Sequence, residues 1–137
     1  MILVDSSVWI EFLRATGSKF DLALNQLIES KQPIATTDVV VMELLAGARD
    51  DEHHNKLRRL LYRHEFIRTQ APLDYELAAD VYRHCRYEGI TVRKLTDCLI
   101  AAVAVRSGAV LMHCDSDFEL IAKKLSLKLF DLSKGIS

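Results

Sequence analysis

Short, unbroken apolar runs set between helical-period segments restrict the fold of this chain more than any other feature. Residues 1–4, "MILV", and 109–112, "AVLM", are too short for helices and lack polar alternation. Such runs suit strands buried on both faces. Similar strands are expected at 33–35, around 66–67 and near 127–130. Between them, Ser6 or Ser7 caps a helix bearing Val8, Trp9, Phe12 and Leu13 at helical spacing, and a second amphipathic helix follows at 20–30. Thr36, Thr37 or Asp38 opens a helix to about Ala48, and a charged helix follows near 52–64. The longest helix spans 73–88 and stops at Gly89. Another begins after Thr96, is apolar on nearly all faces to Val105 and ends at Gly108; a last one covers about 116–124. Strands alternating with helices imply an α/β fold, a parallel sheet covered on both faces.

In such sheets ligand sites open beyond the carboxyl ends of the strands, and two acids stand there. Asp5 ends "MILVD", and Asp115 follows the late strand in "AVLMHCDSDF". Two more acids sit oddly on helices. Glu43 lies within "DVVVMELLAG", sharing a face with Val39, Val40 and Gly47. Asp97 is in the first turn of "LTDCLIAAVAV", a helix too apolar for the surface. Each has an ordinary explanation alone. Asp5 could start a loop, and Asp97 could answer a helix dipole. Glu43 could pair with Arg49, and Asp115 or Asp117 could cap the last helix.

Together they mean more. Separately buried carboxylates each carry a desolvation cost of several kcal/mol, and converging ones repel unless a cation lies among them. Oxygen ligands without a His or Cys constellation suit Mg²⁺ or Mn²⁺ rather than zinc. A carboxylate cluster with such ions is suited to phosphodiester hydrolysis.

With 137 residues, the chain is expected to form a single domain over 1–137 with a core needing no staples. Lys and Arg total 18 against 19 acids, so net charge gives no argument for a polyanionic partner, although a local patch could. Cys85, Cys98 and Cys114 read as small buried hydrophobes in a reducing compartment. No apolar run approaches the roughly 18 residues a bilayer span requires, and no signal peptide opens the chain. No membrane association and a cytoplasmic location are expected.

The ordered set "MILVDSSVWIEFLR", "VVVMELLAGAR", "RKLTDCLIAAVAV" and "LMHCDSDFELIA" resembles PIN-domain ribonucleases, more narrowly the VapC-type toxins of toxin–antitoxin pairs. The resemblance implies a three-layer α/β/α sandwich around a mostly parallel sheet of about five strands. It also implies metal-dependent endonucleolytic cleavage of RNA, often tRNA or rRNA. Asp5, Glu43, Asp97 and Asp115 match the family's acidic quartet, and Asp117 a further acid beside it. Asp5, Asp97, Asp115 and Asp117 would hold the Mg²⁺ or Mn²⁺ ion, and Glu43 would orient or deprotonate the attacking water. Ser6 and Ser7 are candidates for the hydroxyl that holds the site together, and Thr96 for the one before the third acid. His113 stands where many relatives carry Thr or Ser. Expected partners are RNA, a VapB-type antitoxin and a second copy of the chain, in a homodimer or larger toxin–antitoxin assembly.

RNA requires cationic surface. Segment 53–68, "HHNKLRRLLYRHEFIR", supplies one candidate, unless it is a solvated helix face; Arg83, Arg86, Arg93 and Lys94 supply another. Arg93, just before the third acid, could reach a phosphate. Trp9 and Tyr87 could stack on bases, although the spacing of Trp9 with Phe12 and Leu13 favours packing. Other readings stay open here: a non-catalytic PIN-type binding module, an Asp-dependent phosphoryl-transfer protein, or cleavage of DNA.

Overall fold

Among the described residues, five short strands form one sheet: β1 (Ile2–Val4), β2 (Ile34–Thr37), β3 (Glu65–Ile67), β4 (Val110–Met112) and β5 (Lys128–Leu129). Their order is β3-β2-β1-β4-β5, and all four pairings are parallel. The computed structural model describes residues 1–134. Seven helices connect the strands: α1 (Ser6–Leu13), α2 (Lys19–Glu29), α3 (Asp38–Ala46), α4 (Asp51–Leu61), α5 (Leu73–Tyr87), α6 (Leu95–Ser107) and α7 (Asp117–Ala122).

Strand order dictates the layers. The chain steps from β1 to β2 to β3 in one direction, then crosses back to β4 and on to β5. Parallel connections are almost always right-handed, so helices of the outward steps cover one face and those of the return cover the other. Packing agrees, with α1 against α2 and α3, α3 against α4, α5 against α6, and α6 against α7. The three-layer sandwich is therefore present. The sequence direction reverses between β1 and β4, which opens a crevice at their carboxyl ends. Their register pairs Val4 with Met112, and the amide of Asp5 donates to the carbonyl of Met112 at 2.9 Å.

The core explains why α6 is apolar all round. Cys98 and Ile100 to Ala104 are fully buried, as are Leu3, Val4 and Leu111. Trp9 is also fully buried, its ring edge-on to Phe12 with centroids 5.7 Å apart, so it packs and does not stack on RNA. Gly108 ends α6 with φ +72°, the left-handed cap that turns the chain into β4. Gly108→Ala is expected to cost about 1 kcal/mol, read as a lower urea midpoint at unchanged slope.

Several boundaries differ from expectation for local reasons. The cap of α1 is Asp5, whose carboxylate accepts the Ser7 amide, so the hydroxyls of Ser6 and Ser7 are left for other partners. Helix α3 starts after Thr37 without a side-chain cap. The Asp38 carboxylate instead accepts from the hydroxyls of Thr37 and Thr69, and β2 extends to Thr37. Helix α4 is capped by Asp50 and ends at Leu61, and α3 stops at Ala46. Helix α6 begins at Leu95, one residue before Thr96, and α7 is short. Cys85 and Cys98 are buried as expected. Cys114 is exposed, because it lies past the end of β4 where the chain leaves the core.

Candidate active site

Each acid reaches the crevice by a different element. Asp5 leaves the end of β1, Asp115 the loop after β4, Asp117 the start of α7, Asp97 the first turn of α6 and Glu43 the middle of α3. Asp5, Asp97 and Asp117 are buried, whereas Asp115 and Glu43 are half-buried.

The tightest grouping is Asp97, Asp115 and Asp117, with one carboxylate oxygen from each lying within 4.8 Å of the others. Asp5 falls outside this trio, yet its charge bears on Asp97 and Glu43, and that of Asp115 bears on Asp5. Ser7 ties Asp5 in place: its hydroxyl donates to Asp5 Oδ2 at 2.5 Å and accepts the amide of Cys114 at 3.1 Å. One side chain thus stitches the end of β1 to the end of β4. Ser6 serves Glu43 instead, its hydroxyl donating to Oε1 at 3.2 Å, so the pairing of Glu43 with Arg49 is replaced. Asp115 Oδ1 accepts the amide of Asp117, but the N-cap of α7 is Ser116 without a side-chain cap bond, so neither acid is the cap expected from the sequence.

The electrostatics are those of a crowded anionic pocket. Burial, reinforced by Asp5 and Asp115 and opposed by Lys94, pushes the Asp97 carboxyl up to about 7. Burial also raises Asp5, against the bonds from Ser7, and raises Glu43 together with the charge of Asp5. Two buried oxygens, Asp5 Oδ1 and Asp97 Oδ2, have no hydrogen-bond partner among the described residues. Orphaned carboxylate oxygens in an all-oxygen cluster fit a hard divalent cation. Lys94 brings positive charge near Asp97 and Glu43, and Arg93 bonds the acids directly. Arg93 bonds Asp115 Oδ1 through Nη2 at 2.8 Å and Asp117 Oδ2 through Nε at 3.2 Å.

Other candidates fall elsewhere. Thr96 is half-buried, and its hydroxyl makes no hydrogen bond among the described residues. His113 packs its ring 5.2 Å from Phe118, with Nε2 3.5 Å from Glu119 Oε1, which is a packed role and not one within the acid cluster. In segment 53–68, Arg58 lies over the Tyr62 ring and Lys56 pairs with Glu52. Arg83, Arg86 and the exposed Tyr87 share a shallow pocket. Sequence reasoning missed a groove of about 290 Å³ that runs from Glu43 past Arg14, Arg49 and His53. Glu43 belongs to α3, Arg14 to the end of α1, Arg49 to the α3–α4 turn and His53 to α4, and no local pattern links them.

Known proteins place this geometry in context. The sequence profile of the PIN domain matches residues 2–124. Ribonuclease VapC11 of Mycobacterium tuberculosis is 42% identical over 129 residues, covering 93% of this chain and 96% of its own. Two solved structures share the fold. One is VapBC2 from Rickettsia felis bound to a DNA fragment from their promoter, with TM-score 0.73 and 21% identity over 95% of this chain and 98% of that one. The other is VapBC-5 from Mycobacterium tuberculosis, a member of the VapBC family of toxin–antitoxin systems, with TM-score 0.63 and 24% identity over 93% and 95%.

Proposed function

The chain belongs to the VapC ribonucleases of the PIN-domain family, and from that premise we propose that it is the toxin of a toxin–antitoxin pair, an endoribonuclease dependent on Mg²⁺ or Mn²⁺. The observation that carries the proposal is the close grouping of Asp97, Asp115 and Asp117 at the reversal point of the sheet, with the charges of Asp5 and Glu43 also acting on Asp97 and with orphaned buried oxygens on Asp5 and Asp97. Nothing in a purely structural role requires such an arrangement, which raises the charge cost of folding.

In this reading Asp97, Asp115 and Asp117 hold the ion, with Asp5 completing the set from β1. A bound divalent ion would supply Lewis acidity and offset the charge that gathers on the phosphate. Glu43 accepts the proton of the attacking water, and the Ser6 hydroxyl fixes its orientation. Ser7 keeps Asp5 aimed inward. Arg93 binds a phosphate oxygen of the RNA. The proton thus leaves on Glu43, the water oxygen bonds to phosphorus, and the scissile P–O bond breaks with its electron pair going to the departing ribose oxygen, which takes a proton from solvent.

The remaining assignments belong to the same proposal: one domain over 1–137, a tRNA or rRNA substrate, a VapB-type antitoxin and a homodimer within a larger assembly, acting in the cytoplasm. No helix among the described residues is long and apolar enough to cross a membrane.

The test is cleavage of total cellular RNA by the purified chain. Chelation of divalent ions is expected to stop cleavage, and Mn²⁺ or Mg²⁺ to restore it, with the RNA ends mapped by sequencing. Tight RNA binding without cutting at any ion concentration would favour the binding-module alternative.

A further inference from the structure

We propose that Arg93 is a resident counter-cation that occupies Asp115 and Asp117 until a divalent ion displaces it, whereupon its guanidinium is freed for the RNA backbone. The inference rests on the metal-site assignment above and adds a sequence of events to it.

The geometry supplies the reason. Arg93 forks across the two acids, with Nη2 on Asp115 Oδ1 and Nε on Asp117 Oδ2. These are two of the three carboxylates whose oxygens come close enough to share one ion. Asp115 Oδ1 already accepts from the Asp117 amide, and Asp117 Oδ2 from the Arg93 amide. Ligation of a cation by the same two carboxylates therefore competes with the fork for their charge. The backbone bond from Arg93 to Asp117 at 3.0 Å does not depend on the guanidinium, so the main chain can stay anchored while the side chain leaves. That side chain is two-thirds exposed, with open solvent to swing into.

The exchange solves two problems with one residue. Three carboxylates within ligand distance would repel in the ion-free chain, and the planar guanidinium bridges two of them with one N–H to each. Once a divalent ion carries that charge, the guanidinium becomes the nearest free donor for an incoming phosphate. Ion binding and RNA binding would then be positively coupled, each favouring the state in which the fork is open.

Two measurements on the full chain test this. In calorimetric titration with Mn²⁺, Arg93→Gln is expected to bind three- to tenfold more tightly than wild type. Arg93→Lys, which keeps the charge without the fork, is expected to fall between them. In ¹⁵N spectra, the Arg93 Nε–Hε signal, assigned by its loss in Arg93→Gln, is expected to be protected from exchange without ions and to lose that protection in saturating Mg²⁺. Uptake of Mn²⁺ with equal or weaker affinity in Arg93→Gln, or a signal still protected at saturation, overturns the exchange and leaves the metal site standing. Absence of Mn²⁺ uptake by all three proteins brings down the metal site, and the exchange with it.

Discussion

Asp97→Asn is expected to yield a chain that no longer cleaves RNA yet resists urea better than wild type when divalent ions are removed. The two effects have one cause. Asp97 is buried beside Asp5 and Asp115, and its carboxyl is pushed from 3.8 up to about 7. An acid with a raised pKa in the folded state binds more protons there than in the unfolded chain. Stability must therefore fall as pH rises from about 4 to about 7, and the cost is then complete. The full linkage would be roughly 4 kcal/mol. Solvent reaching the site at Arg93 and Asp115 screens part of it, leaving a gain of about 2 kcal/mol for the Asn variant above neutral pH. The gain should be small near pH 4, where the unfolded carboxyl is only partly ionised, and should vanish below about pH 3, where Asp97 is protonated in both states.

Millimolar Mn²⁺ should reverse the ranking, because only wild type gains the full free energy of ion binding. Cleavage by Asp97→Asn should fall by about a thousandfold, the effect of removing a charged ligand that stabilises the transition state. Urea midpoints at pH 4 and 8, each with chelator and with Mn²⁺, check the first part; RNA cleavage at saturating Mn²⁺ checks the second. A variant less stable than wild type in chelator at pH 8 would mean that Asp97 is held by a favourable contact and not strained by its neighbours.

What the sequence disclosed follows from how each feature is encoded. The runs at 1–4 and 109–112 are visible because a strand buried on both faces needs apolar residues at every position, which leaves a contiguous signal. The acids at 5, 43, 97 and 115 stood out for the opposite reason, as charges where local pattern calls for apolar residues. Boundaries were less legible. Asp5 serves both as the cap of α1 and as a site acid, so the capping role given to Ser6 or Ser7 belonged to the residue before them. Asp117 joins Asp97 and Asp115 more closely than Asp5 does, a result of how α7 enters, which spacing along the chain cannot express.

Long-range partners were the least legible of all. The buried Asp74 takes its salt bridge from Arg106, 32 residues away, with Nε to Oδ1 at 2.9 Å, and Arg106 also bonds the carbonyl of Arg68. That pair pins the start of α5 to the end of α6. Neither residue breaks a local rule, so neither attracts notice until the two helices are packed. The same holds for Ser6 and Glu43, which meet only because α1 and α3 lie on one face of the sheet.

Glu43→Gln should separate proton transfer from ion binding. Glu43 lies outside the close trio of Asp97, Asp115 and Asp117, so Mn²⁺ affinity should change little. Cleavage should nevertheless fall by about 10²- to 10⁴-fold, the range for removing a positioned general base. The pH profile carries the sharper distinction. A base works only when deprotonated, and burial together with the charge of Asp5 raises the pKa of Glu43. The wild-type rate should therefore climb with pH along an acid limb displaced upward from an ordinary glutamate. In Glu43→Gln that limb should flatten. Recording both profiles at saturating Mn²⁺ keeps Asp97 from contributing, since an ion bound to its carboxylate opposes protonation. Ser6→Ala removes a hydrogen bond that favours the charged form of Glu43, and should move the limb higher still with a several-fold loss of rate. If Glu43→Gln cleaves at the wild-type rate with the limb intact, another group takes the proton. Weakened Mn²⁺ binding would instead make Glu43 a ligand and not a base.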